Sequence, residues 1–199
     1  MGASLELFNA EGPASVSTHR IAAELGISPG NLHYHFKNKA LIIDRLFRRF
    51  EAQLSSSLEA SASVTALDDL WLTLHLTFET VDAYRFVFRD IDYVLRGSPG
   101  LEASAKALTA TGLAASKAGF GSLAKANVLT VSEAAIELLA LQTVFAMTCW
   151  HSFNRLASRG QGRHGGSALG AYYCLSLLEP YVVGEARDYL NYLRAKYLR

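Results

Sequence analysis

A chain of 199 residues, half of them apolar, can build one sizeable core, or a small head and a larger body. The formal net charge is +1, and residues 1–54 hold six Lys/Arg against five Asp/Glu, which excludes a protein that holds nucleic acid by bulk attraction. Any DNA affinity has to come from placed charges and base contacts. Cys149 and Cys174 lack CxxC spacing and suit a reducing cytoplasm, where both read as buried small apolar residues and not as a redox sensor.

In chain order, Met1–Glu11 reads as a helix with Leu5, Leu7 and Phe8 on its apolar side, ended by Gly12-Pro13. The next stretch, Val16–Lys39, reads as a helix-turn-helix. Ser17 or Thr18 caps a first helix carrying Ile21, Ala22 and Leu25, with Ala22 small enough for a close helix crossing. Gly26 supplies the left-handed residue that ends it, and Ile27 returns to the core. Ser28-Pro29 restarts the chain, Ser as a cap and Pro at the first helical position, where its missing N–H costs nothing. Leu32 and Phe36 give this second helix its buried side. Asn31, His33, Tyr34, His35 and Lys37 lie on the other, a hydrogen-bonding and stackable surface suited to a major groove.

The run Gly30-Asn31-Leu32-His33-Tyr34-His35-Phe36, followed by Asn38-Lys39, resembles the signature of TetR-family transcriptional regulators, with the likeness sharp over Leu5 to Phe50. One departure is that the family usually carries Tyr, a phosphate contact, where this chain has His33. Either His33 or the adjacent Tyr34 takes that role. In the family the first helix starts earlier and follows a basic arm, whereas this sequence opens at Met1. The resemblance implies an all-α protein with an N-terminal three-helix DNA-binding head over residues 1–54 and a helical ligand-binding and dimerisation body over 55–199. Its expected phosphate contacts are Thr18, Ser28, Tyr34 and Lys39, while Pro29, Gly30, Asn31 and His35 face base edges.

Asn38 reads as the cap of the next helix, Lys39 to about Ser57, striped by Ile43, Leu46, Phe47, Phe50 and Leu54, with Arg45, Arg48 and Arg49 on a solvated face. Beyond Ser61 the periodicity is helical throughout, with helices expected at 65–82, 84–96, 99–119, 130–158, 167–179 and 184–197. The residues 158–167 read as a flexible loop. Trp71, His75 and Phe78 form a stripe that reads first as core. The resembling family hollows this region into a ligand pocket, around which Phe88, Tyr93, Phe145 and Cys149 are placed as well. Such a lining favours a largely apolar molecule with one or two polar anchors, His75 and Tyr93. The helix 130–158 is apolar nearly all round, and Leu169, Tyr172, Tyr173 and Leu177 add a stripe, more surface than one body covers. A homodimer built as a four-helix bundle is expected to cover it.

Three features suggest other chemistry and lack the context for it. Gly160-x-Gly162-x-x-Gly165 matches a dinucleotide fingerprint, but a helix and not a strand feeds it. Ala134–Phe153 has the length of a membrane span with only Glu137 charged, yet polar groups surround it, and burial by its own fold and a second copy explains it better. No HxxxH or HxxE spacing occurs and no Ser or Cys has a base-and-orienter pair, so no metal, cofactor or catalytic site is expected. The reading is therefore a cytoplasmic, ligand-responsive homodimeric repressor on a palindromic operator in double-stranded DNA, released by a small-molecule effector, with no enzymatic or membrane role. The rival is an all-α ligand-binding protein or enzyme whose helix-turn-helix no longer binds DNA, and a helical interaction module is a third reading.

Overall fold

The computed structural model describes residues 1–97, 99–157 and 166–197, and among these every regular element is a helix. The first four are α1 (Gly2–Glu11), α2 (Thr18–Glu24), α3 (Pro29–His35) and α4 (Lys39–Ser61). Then come α5 (Leu67–Ala83), α6 (Phe86–Arg89), α7 (Ile91–Arg96) and α8 (Pro99–Lys125). The last three are α9 (Glu133–Ala157), α10 (Ser167–Ser176) and α11 (Ala186–Tyr197). The helix expected over 84–96 is two short ones, because Asp90 leaves helical geometry at φ −118°, ψ 33°. The helix expected to stop at 119 continues to Lys125, so the glycines of its last turns do not break it. The glycine triplet at 160–165 and most of the expected loop at 158–167 lie outside the described residues.

Two compact units emerge. One contains Met1–Ala52 and Tyr84–Ala107, the other Gln53–Ala83 and Leu108–Arg199. The first unit takes its second stretch from beyond residue 55. That stretch is bonded to the first helix. Arg89 donates to the Phe8 and Asn9 carbonyls at 2.8 and 2.7 Å while paired with Asp90, and the Phe86 N–H donates to the Asn9 side-chain oxygen at 3.1 Å. Phe8 and Phe86 touch, and Phe50 of α4 lies against both Tyr84 and Phe88. The apolar stripe of α4 is buried as its spacing requires, from Ile42 and Ile43 through Leu46, Phe47 and Phe50.

In the second unit α5 packs on α10 and α9 about a core of Leu70, Leu74, Phe78, Leu139, Trp150 and Leu175. An isolated antiparallel bridge between Leu129 and Val182 ties the α8–α9 connection to the α10–α11 connection. α9 is long and apolar enough to cross a membrane by length and composition. Here one side of it, from Ile136 through Leu139, Thr143 and Met147 to Trp150, is core. The helices α4 and α8 each begin in the first unit and end in the second.

Candidate nucleic-acid interface and body cavity

The helix-turn-helix is fixed by local chemistry. Ser17, not Thr18, caps α2, its hydroxyl accepting from the Arg20 N–H at 3.1 Å. At the other end the Gly26 N–H bonds the Ala23 carbonyl and the Ile27 N–H bonds the Ala22 carbonyl, with Gly26 at φ +65°. That double closure is a Schellman turn, and its left-handed residue is where glycine avoids the Cβ clash other residues meet. Ser28 caps α3 by accepting from the Asn31 N–H at 3.2 Å, with Pro29 at the first helical position. Asn38 caps α4 through the Leu41 N–H at 3.0 Å.

The seven-residue α3 buries only Leu32; Phe36 ends the helix in extended geometry and is half-buried. Pro29, Gly30, Asn31, His33, Tyr34 and His35 are all exposed, Tyr34 to 78%, with its ring edge-on to His35 at 5.2 Å. Ser28 at the helix start is exposed and Thr18 half-exposed, so hydroxyls and the α3 N-terminus flank this face. Lys39 is differently engaged. Its ammonium donates to the Pro13 carbonyl at 2.5 Å and the Val16 carbonyl at 2.9 Å, and sits 5.1 Å above the Tyr93 ring. Two of its three donors are therefore occupied by the turn that leads into α2, and its first action is to hold that turn. Of the α4 arginines, Arg48 is occupied by Asp44, Glu51 and Ser104.

The residues expected around a ligand are divided between the two units. The Trp71 and His75 rings lie tilted against each other at 5.6 Å on α5, with His75 also 3.3 Å from Glu79. Phe78 is buried edge-on to Trp150 at 6.1 Å and acts as core. Phe88 packs on Phe50 and Tyr93 lies under Lys39, both within the first unit. Phe145 is 66% exposed and Cys149 is exposed too, on a side of α9 that also shows Leu138, Leu141 and Phe153. Cys149 is thus not the buried residue expected, whereas Cys174 is, and burial pushes its thiol up to about 12. Of the stripe expected on α10, Tyr172 is buried, Leu169 and Leu177 are half-buried, and Tyr173 is exposed.

A cavity does exist in the second unit, at a place the sequence did not indicate. It has a volume of about 20 Å³ and is walled by the end of α4 and by parts of α5, α8 and α9, with Ser61, Thr73, Thr77, Ser116 and Thr143 among apolar side chains. Gly119 of α8 faces the Ser61 carbonyl so closely that a β-carbon has no room, which is what lets α8 close this wall. The signal in the sequence was two threonines four apart on α5, overshadowed by the aromatic stripe beside them.

A capped, glycine-turned helix pair that exposes a polar second helix is a DNA-binding helix-turn-helix head, carried here with a helical body. Comparison with known proteins agrees over nearly the whole chain. Residues 1–46 match the profile of bacterial regulatory proteins of the tetR family, and residues 49–190 that of a TetR bacterial transcriptional repressor. A TetR-family regulator from Marinobacter aquaeolei VT8 superposes with a TM-score of 0.87 at 34% identity, over 98% of this chain and 95% of that one. PfmR of Thermus thermophilus shares the fold at TM-score 0.70 and 17% identity, covering 89% of this chain and 95% of its own. SmeT, the repressor of the Stenotrophomonas maltophilia multidrug efflux pump SmeDEF, has also been solved with triclosan. In that complex it matches at TM-score 0.64 and 16% identity over 93% of this chain and 90% of its own. The chain belongs to the TetR family of transcriptional regulators.

Proposed function

We propose that the chain is a homodimeric repressor that holds a palindromic operator through its two copies of α3 and lets go when a small, largely apolar effector enters the body. The observation that carries the DNA half is the surface of α3, where every side chain but Leu32 faces solvent. Ser28, Thr18 and either His33 or Tyr34 take phosphates, and Pro29, Gly30, Asn31 and His35 face base edges. Asn31 is the principal reader, since an amide pairs an adenine edge in bidentate fashion. Lys39 acts mainly by holding the turn before α2, with one ammonium proton left for a phosphate.

Residues 1–54 form the DNA-binding part and 55–199 the ligand-binding and dimerisation part. The dimer face is the exposed apolar side of α9, Leu138, Leu141, Phe145 and Phe153, with Tyr173 of α10. Two-fold pairing of that face forces the heads to read half-sites about 34–36 Å apart or a multiple of it. The triclosan complex of SmeT, a protein of the same fold, supports a body that takes a small apolar compound. A cytoplasmic, non-enzymatic regulator fits both halves.

Selecting bound sequences from a random duplex library tests the reading in one step. A palindrome bound two chains per duplex is the expected result. An asymmetric site bound by one chain would remove the symmetry, and failure to enrich any sequence would remove the DNA function.

A further inference from the structure

Four threonines in the helices of the second unit share a pattern from which Thr143 departs. Thr73, Thr77, Thr80 and Thr148 each turn their hydroxyl back to the carbonyl four residues earlier, at 2.9, 2.8, 3.1 and 3.1 Å. This is the local partner any helical threonine has within reach. Thr143 of α9 has no hydrogen-bond partner for its hydroxyl, although the residue is only 2% exposed. It lines the 20 Å³ cavity. A buried hydroxyl without a partner is costly, so its partner is an occupant of that cavity.

The wall specifies the chemistry of that occupant. Thr73 and Thr77 have given their protons to backbone carbonyls, so toward the cavity they offer lone pairs only, while Thr143 keeps its proton to give. A group that fits must both donate and accept, which is what a hydroxyl does and a ketone, ether or hydrocarbon does not. No lining residue ionises, so a charged occupant would stay unpaired. Ser61 has likewise given its proton to the Leu58 carbonyl, and apart from Ser116 the remaining wall is apolar, with Leu74, Phe120 and the adaptable Met147 in it. At about 20 Å³ the cavity has room for a group the size of one water, and a hydroxyl group is the same size.

We propose that this cavity is the polar anchor of the effector site, taking the hydroxyl of a neutral alcohol or phenol whose apolar body displaces Met147. The inference rests on the reading that the body binds an effector, and adds where and of what class. The anchor is walled in part by α4 and α8, the two long helices that continue into the unit containing α3, so an occupant bears directly on both.

The test uses the full chain with phenol, cyclohexanol, toluene and benzoate as probes, read by calorimetry, and a crystal soaked in phenol. Phenol and cyclohexanol should bind saturably, toluene roughly tenfold or more weakly, and benzoate not at all. Thr143→Val keeps the shape without the hydroxyl. It should raise the melting temperature of the free protein and weaken phenol by about tenfold, while Thr143→Ser retains phenol binding. In the crystal the phenol oxygen should lie within hydrogen-bond distance of Thr143 Oγ1. Equal phenol affinity in wild type and Thr143→Val, no phenol binding, or a single water in the soaked cavity would each overturn the anchor. Operator release, followed in parallel by fluorescence anisotropy, separates the two readings. Phenol that binds through Thr143 without releasing the operator leaves the anchor standing and removes the repressor switch. A releasing compound indifferent to Thr143→Val does the reverse.

Discussion

Helices α3 and α9 both hold side chains out to solvent, and they do so with opposite chemistry. α3 shows Asn31, His33, Tyr34 and His35, groups that have hydrogen bonds or ring faces to give. α9 shows Leu138, Leu141, Phe145 and Phe153, groups that gain only by leaving water. A polar exposed face costs nothing while it waits for a partner, whereas a large apolar one on a monomer marks a surface meant to be covered. On the proposed reading the first surface is occupied intermittently by DNA and the second by a partner copy.

The sharpest way to break the contrast is to make the α9 face polar. Phe145→Asp should give a monomer by sedimentation at micromolar concentration, because a carboxylate buried unpaired in the dimer costs several kcal/mol. Operator affinity should fall with it, as each head then binds its half-site alone. A dimer unchanged by this substitution would place the interface elsewhere.

Lys39→Met comes next. It removes two charge-assisted hydrogen bonds and a cation over Tyr93, and should cost about 2–3 kcal/mol of stability in urea unfolding. Its loss of DNA affinity should be alike on operator and scrambled duplexes. If stability is unchanged and only the salt dependence of binding falls, Lys39 is a phosphate contact and no clasp.

Asn31→Ala should leave the melting temperature within a degree or so, since the residue is exposed, and remove about 1–3 kcal/mol of discrimination between operator and scrambled DNA. Equal loss on both sequences would put Asn31 on the backbone and not on a base.

The smallest effect is a labelling rate. Cys174, its thiol held up to about 12 by burial, should react with iodoacetamide only on unfolding. Cys149 lies on the α9 face and should react faster as the protein is diluted toward monomer. A rate for Cys149 independent of concentration would mean that this side stays open. Because the raised value belongs to the folded state, Cys174 adds full stability below the ordinary thiol range, and that contribution is lost as pH rises toward 12.

What could be read from the residues follows the range of the interactions. Ser28-Pro29, Gly26 and Asn38 act through atoms within four residues, so the caps and the turn of the head were legible, as was the exposure of Asn31, Tyr34 and His35. The role of Lys39 was not, because its carbonyl partners lie 26 and 23 residues away in the chain. Phe78, read first as packing, is core, whereas Phe145 was placed inside and points out. A helix apolar on every side carries no signal of which side is core. Thr143 is the counterpart error, a polar residue in an apolar helix whose meaning depends on a void made by four segments.

The short length of α3 has one more consequence. Its hold on the rest of the head depends on Leu32, the Ser28 cap and the caps around it, and the residues that face outward add nothing to that hold. On the proposed reading of α3, operator preference and foldedness are encoded at separate positions. A lineage of such regulators can drift from one promoter to another by changing residues 30, 31, 33, 34 and 35 without passing through unfolded intermediates, and a combinatorial library at those five sites would be largely soluble.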